Sequence, residues 1–133
     1  MLDTLLFIDD DPITLMLCKM VISKASFSKV IITAKNGEEA LQYFDKLIQN
    51  NTENKKIPQL IFLDLNMPVM GGWEFLDHFS TDKYSEYNDI KVIILSSTVD
   101  PEDLKNSQKY PMILDFLSKP ISKEMLEYVS TII

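Results

Sequence analysis

"LLFIDDDPI", residues 5–13, sets an unbroken apolar run directly against three aspartates and a proline. Leu5–Ile8 reads as a strand covered on both faces, since a strand with one wet face would alternate. Asp11 stands where a helix N-cap belongs, and Pro12 falls at the first helical position, where its missing N–H has no partner to lose. Asp9 and Asp10 are left without a capping task. So much like charge at the edge of a core either complements the positive end of a helix or awaits a cation.

The same unit, a short apolar run followed by turn residues and a helical stripe, recurs along the chain. Val30–Thr33, Leu60–Leu63, Val92–Leu95 and Ile113–Leu117 read as further strands, the last interrupted by Asp115. Ile13, Met16, Leu17, Met20 and Val21 keep helical spacing and predict a buried stripe that leaves Cys18 to one side. Ala40, Leu41, Phe44, Leu47 and Ile48 predict a second helix, and Trp73, Leu76 and Phe79 a shorter third. Asp100-Pro101 opens a weak fourth, with Leu104 as its main anchor. Met125, Leu126, Val129 and Ile132 follow a Ser122 cap in the fifth. The stretches "QNNTENKKIP" and "STDKYSEYND" read as loops. Five β-α units argue for a parallel sheet sandwiched by helices.

With 133 residues, 46% of them hydrophobic, the chain suits one domain with its own core, and residues 1–133 are taken as that domain with no output domain attached. A single cysteine excludes an internal disulfide and fits a reducing cytoplasm. The net charge is −7 and every basic side chain is lysine, so no arginine fork is available for guanine or phosphate. Nucleic acid is excluded as a partner, and the absence of a long apolar run excludes a membrane span.

Ligands of an open parallel sheet bind beyond the carboxyl ends of its strands. The first strand here runs into Asp9 and Asp10, the third into Asp64 and "LNMP", the fourth into Ser96, Ser97 and Thr98, and the fifth into Lys119 and Pro120. Each alone reads as capping or turn chemistry; together they gather three carboxylates, a hydroxyl and an ammonium on one rim. Two unit charges about 4 Å apart repel by roughly 4 kcal/mol near a protein surface, so such a cluster calls for a cation. Oxygen-only ligands suit magnesium, with manganese as a substitute, and no histidine or cysteine stands near to suit zinc.

"FIDDDP", "IFLDLNMPVMGG", "VIILSST" and "FLSKP" resemble, in order and spacing, the receiver domain of bacterial two-component response regulators, over essentially the whole chain. The resemblance implies a flavodoxin-like, doubly wound α/β fold with five parallel strands in the order 2-1-3-4-5 and five helices. It implies that Asp64 is the phosphoacceptor, taking a phosphoryl group from a phosphohistidine. Asp10, Asp64 and the Asn66 backbone carbonyl would ligate magnesium, with Asp9 acting through water. Lys119 would meet the phosphoryl oxygens, its bond to Pro120 being cis as in the family. Ser96 matches the switch hydroxyl and Phe116 the switch aromatic, which together reshape the face made by the fourth helix, fifth strand and fifth helix. Asn66 and Thr98 occupy positions that tune phosphate lifetime.

The implied partners are a sensor histidine kinase or histidine phosphotransfer protein and a downstream protein effector, the chain being a monomer or a weak phosphorylation-dependent dimer. His78, the single histidine, reads as a solvated side chain. Three departures from the family stand out: Gly71 where an acidic residue is frequent, Ser97 where alanine is usual, and "YPMILD" before the fifth strand. A phosphatase of the haloacid dehalogenase class would need an aspartate at position 66, and a degenerate, non-phosphorylated receiver would lack one of the acids or the lysine. The chain is therefore expected to modify only itself and not to turn over small substrates.

Overall fold

The computed structural model describes residues 1–50, 56–98 and 100–133. Five parallel strands form one sheet in the order β2-β1-β3-β4-β5. They are β1 (Leu2–Ile8), β2 (Ser28–Ala34), β3 (Leu60–Leu63), β4 (Lys91–Ser96) and β5 (Ile113–Ser118). The helices are α1 (Pro12–Lys24), α2 (Gly37–Gln49), α3 (Gly72–Phe79), α4 (Pro101–Ser107) and α5 (Lys123–Ile132). The flavodoxin-like order thus stands as expected; the strands run longer than their apolar cores because backbone pairing extends to Leu2, Thr4, Ser28 and Lys91.

Alternation along each central strand splits the core in two. Leu6, Ile8, Ile61, Leu63, Val92 and Ile94 face α2 and α3, whose Ala40, Leu41, Phe44, Leu47, Phe75, Leu76 and Phe79 are buried against them. Leu5, Phe7, Leu60, Phe62, Ile93 and Leu95 face α1 and α5, where Cys18, Ile22, Leu126 and Val129 close the layer. Phe62 anchors this second layer, meeting Phe7 edge-on at 5.6 Å and Phe27 stacked at 6.0 Å. Strand β5 carries an irregularity, Val92 pairing with Ile113 but Ile93 with Asp115. The Asp115 carboxylate there accepts from the Phe116 N–H and the Tyr128 hydroxyl, which accommodates its charge.

Three expectations need correction. The α1 stripe is turned outward: Ile13, Met16, Leu17 and Met20 are 50–63% exposed, and Val21 is only half-buried. Cys18 and Ile22 enter the core in their place. Alpha 1 is apolar on more than one side, and the pattern alone does not say which side is covered. Leu104 is no anchor, being 43% exposed on a helix that buries nothing. "STDKYSEYND" is not a plain loop: Asp82–Tyr87 forms a 3₁₀ helix that buries Tyr84 and Tyr87 beside Phe44 and Phe79. Of the other expected loop, residues 51–55 lie outside the described residues.

Candidate functional site

The carboxyl ends of β1, β3 and β5 meet over one edge of the sheet, and the ladder of backbone hydrogen bonds runs on into the residues beyond them. Asp9 N–H donates to Ala34 at 3.0 Å, Asp64 N–H to Ile8 at 2.9 Å and Lys119 N–H to Ser96 at 2.9 Å. Three charged side chains therefore start from backbone held as firmly as the sheet. The Lys119–Pro120 bond is cis. Alpha 3 closes in behind Asp64 because Gly72 has no side chain: a Cβ there would lie 2.7 Å from the Asp64 carbonyl oxygen. At Gly71 a Cβ would stand 2.8 Å from the Leu65 carbonyl, so the acidic residue frequent at that place is excluded by this backbone path.

Around this frame lies a pocket of about 590 Å³. Asp9 is fully buried, Asp64 is 9% exposed and Asp10 is exposed at the mouth. The Lys119 ammonium donates to Asp9 Oδ2 at 2.6 Å and lies 3.4 Å from Asp64 Oδ1. The second oxygen of Asp9 accepts from Asp11 N–H at 3.0 Å, and Asp64 Oδ1 accepts from Leu65 N–H at 2.9 Å. Burial pushes the Asp64 carboxyl above its ordinary range; Lys119 pulls it back and the charge of Asp9 raises it further. Burial would lower the Lys119 pKa, but its hydrogen bond to Asp9 and the charges of Asp64 and Asp9 prevail and hold it above the usual lysine value.

Asn66, Ser96 and Ser97 line the same pocket, joined by Asp11 and Thr14. Asp11 caps α1 as expected, accepting from Ile13 N–H at 3.0 Å. The Thr14 hydroxyl donates to Asp11 Oδ2 at 3.0 Å, a pocket residue that sequence reading passed over. Its only signal was its place three residues after the cap. Ser96 donates its hydroxyl to the Thr98 carbonyl at 2.5 Å. Phe116 is outside the pocket, half-buried against the α2–α3 layer. His78 is exposed on α3. Trp73 reaches α4, its indole N–H donating to Asp103.

Asp9, Asp10 and Asp64 can each offer a carboxylate oxygen within 4.8 Å of the others. A set made only of oxygen donors, with Asp10 exposed at the pocket mouth, fits a small hard dication that keeps part of its water. The same loop holds one conformational misfit. Val69 sits at φ 68° and is 74% exposed, so a β-branched residue occupies left-handed backbone without packing in return. Val69→Asn is expected to stabilise the chain by about 1 kcal/mol, read from the urea midpoint; an unchanged or lower midpoint counts against strain there.

A doubly wound parallel sheet that brings aspartates and a lysine to one rim is the build of a signalling receiver. The chain belongs to the response regulator receiver domain family, which matches residues 5–129. It is 33% identical over 106 residues to the nitrate/nitrite response regulator protein NarL of Escherichia coli, a match covering 80% of this chain and 43% of that protein. It is 28% identical over 126 residues to a probable C4-dicarboxylate response regulator, DctR, of Halalkalibacterium halodurans, covering 95% of this chain and 49% of the other. The chain thus spans less than half the length of these two curated relatives. A crystal structure of a two component response regulator from Cytophaga hutchinsonii superposes with a TM-score of 0.84 at 28% identity, covering 98% of this chain and 95% of that one. The protein is a receiver domain of two-component signalling, a signalling module by family. Among the described residues, no helix is long and apolar enough to cross a membrane.

Proposed function

We propose that this receiver accepts a phosphoryl group on Asp64 from a phosphohistidine of a partner protein, with magnesium, and uses it to change its partner-binding surface. The observation that carries this reading is the placement of the Lys119 ammonium 3.4 Å from Asp64 and 2.6 Å from the buried Asp9. An Asp64 oxygen attacks phosphorus, an O–P bond forms, and the P–N bond breaks with its electron pair leaving on the imidazole nitrogen. Phosphoryl transfer needs positioning and charge neutralisation more than acid–base help. The backbone of β1 and β3 positions the nucleophile, and Lys119 meets the phosphoryl oxygens as a point charge. Asp10, Asp64 and the Asn66 carbonyl would hold magnesium, with Asp9 behind a water; when bound, it neutralises charge on the same oxygens.

Transfer then acts on Ser96. Its hydroxyl is committed to the Thr98 carbonyl, and turning toward a phosphoryl on Asp64 releases that loop. Phe116 follows into the space left, altering the face of α4, β5 and α5. Incubation with magnesium and acetyl phosphate tests the core of this reading: intact mass rises by one phosphoryl group. No rise in the unmodified chain would favour a binding module that signals without phosphate.

The donor's docking surface is the outward face of α1. Ile13, Met16, Leu17 and Met20 form an exposed apolar strip that starts beside the pocket, since Asp11 and Thr14, on either side of Ile13, line its wall. Alpha 1 carries no acidic residue, while Lys24 shares a groove with Lys123 of α5. On a chain of net charge −7, an apolar strip with basic flanks suits a helix whose own apolar stripe is bordered by acids. Leu17→Glu is expected to slow transfer from the phosphohistidine partner at least about tenfold, a hot-spot loss of about 1.4 kcal/mol. Labelling by acetyl phosphate should be unaffected, because that donor needs no docking face. Equal slowing with both donors would place the damage in the pocket instead.

A further inference from the structure

Alpha 4 buries no residue, yet a side-chain hydrogen bond joins it to α3. What fastens it is a clasp from two residues one turn apart on α3, Trp73 and Asp77. The Trp73 indole N–H donates to Asp103 Oδ1 of α4 at 3.1 Å. The same indole stacks on Tyr110, ring centroids 5.6 Å apart and planes 19° from parallel, and the Tyr110 hydroxyl donates to the Asp77 carboxylate. Tyr110 stands at the entrance to β5, just before Met112, which is buried and accepts from Val92 N–H at 2.9 Å. One arm of the clasp is thus tied to the sheet, and the other holds only α4.

At its opposite end α4 is tied to the phosphoacceptor edge. Asp100 caps the helix, accepting from Glu102 N–H at 2.9 Å, and Thr98, two residues earlier, is held by Ser96. The Ser96 hydroxyl donates one proton at a time, so it cannot serve the Thr98 carbonyl and a phosphoryl oxygen together. When it turns inward the anchor of that loop is lost, and the helix behind it has no buried side chain to resist the pull.

We infer that the Trp73–Asp103 hydrogen bond is a latch, closed in the unphosphorylated protein and opened by phosphorylation, while the Trp73–Tyr110–Asp77 arm stays closed and acts as the fixed side of the hinge. The inference rests on the reading of Asp64 as phosphoacceptor. A bond made in only one of two states biases their equilibrium by its own worth, so removing it favours the other state. Trp73→Phe keeps a ring to stack on Tyr110 and deletes the N–H donor; Asp103→Ala deletes the acceptor from the other side.

The test measures beryllium fluoride binding, a phosphoryl mimic, by calorimetry in magnesium on the whole chain, alongside urea midpoints. Trp73→Phe and Asp103→Ala are each expected to bind the mimic about three- to tenfold more tightly, the net worth of one hydrogen bond, while unfolding at lower urea. The double variant should gain no more than either single one, since both remove the same bond. Asp103→Asn, which keeps an oxygen acceptor, should bind like the unmodified chain. A merely structural contact would lower the urea midpoint and leave mimic affinity unchanged or weaker; that result overturns the latch alone. Failure of the unmodified chain to bind the mimic at all would overturn the phosphoacceptor reading and the latch with it.

Discussion

Asp64→Asn takes up no phosphoryl group from acetyl phosphate and magnesium, and in metal-free buffer at neutral pH it unfolds at higher urea than the unmodified chain. The first outcome follows because an amide oxygen is a poor nucleophile toward phosphorus and the amide cannot carry the acyl phosphate. The second follows from the cost of the charge. Asp64 is nearly buried, faces the fully buried Asp9, and shares one ammonium with it. The asparagine keeps an oxygen for the Leu65 N–H and drops the like charge, with an expected gain on the order of 1 kcal/mol. The pH dependence has a definite sign. The folded carboxyl titrates above the ordinary aspartate value of 3.8, so between that value and its folded pKa the native state binds the extra proton. Stability tied to Asp64 is therefore recovered as pH falls through that window and is missing above it. The variant should lack this recovery. Uptake of phosphate by Asp64→Asn would show that another residue accepts it, and a lower urea midpoint would show that Lys119 more than compensates the buried charge.

The fold was legible because its signals are local. Continuous apolar runs on β1, β3 and β4, the Asp11 and Ser122 caps and the stripe of α2 each lie within a few residues, and the resulting β-α alternation admits few arrangements. The pocket was legible for the same reason, since a parallel sheet delivers the ends of its strands to one edge: Asp9, Asp64 and Lys119 follow strands directly, and Ser96 ends one. What escaped depends on distance or on which face is covered. Spacing marks Ile13, Met16, Leu17 and Met20 as a stripe, but only the docking of α1 through Cys18 and Ile22 shows that this stripe meets solvent. Tyr84 and Tyr87 are three residues apart in a polar segment, and their burial is decided by Phe44 and Phe79, far away in sequence. Trp73 and Asp103 are 30 residues apart with no shared pattern, so the sequence offers only Leu104 as an anchor for α4.

Lys119→Met is expected to lose about 3–5 kcal/mol of stability without metal, the usual consequence of taking one partner from a buried ion pair. Asp9 is fully buried, and Lys119 supplies its closest partner at 2.6 Å; without that ammonium, Asp9 keeps the Asp11 N–H and faces Asp64 uncompensated. Adding magnesium should recover more stability in the variant than in the unmodified chain, because the dication then does work that the lysine had done. Activity should not return with it. The lysine is needed at the phosphoryl oxygens, and removing one such contact typically costs about 10²–10³ in rate, measurable as the initial rate of mass gain from acetyl phosphate. The pair also sets an alkaline limit. The Lys119 pKa is raised above the ordinary lysine value of 10.5, so its contribution to stability is complete below that value and is lost as pH climbs through the higher folded pKa. The difference between the two chains should therefore shrink only in strong alkali and hold across the neutral range. Equal urea midpoints for both chains in metal-free neutral buffer would mean that Asp9 is sustained by something other than Lys119. In that case the ammonium would be free to serve the phosphoryl group alone.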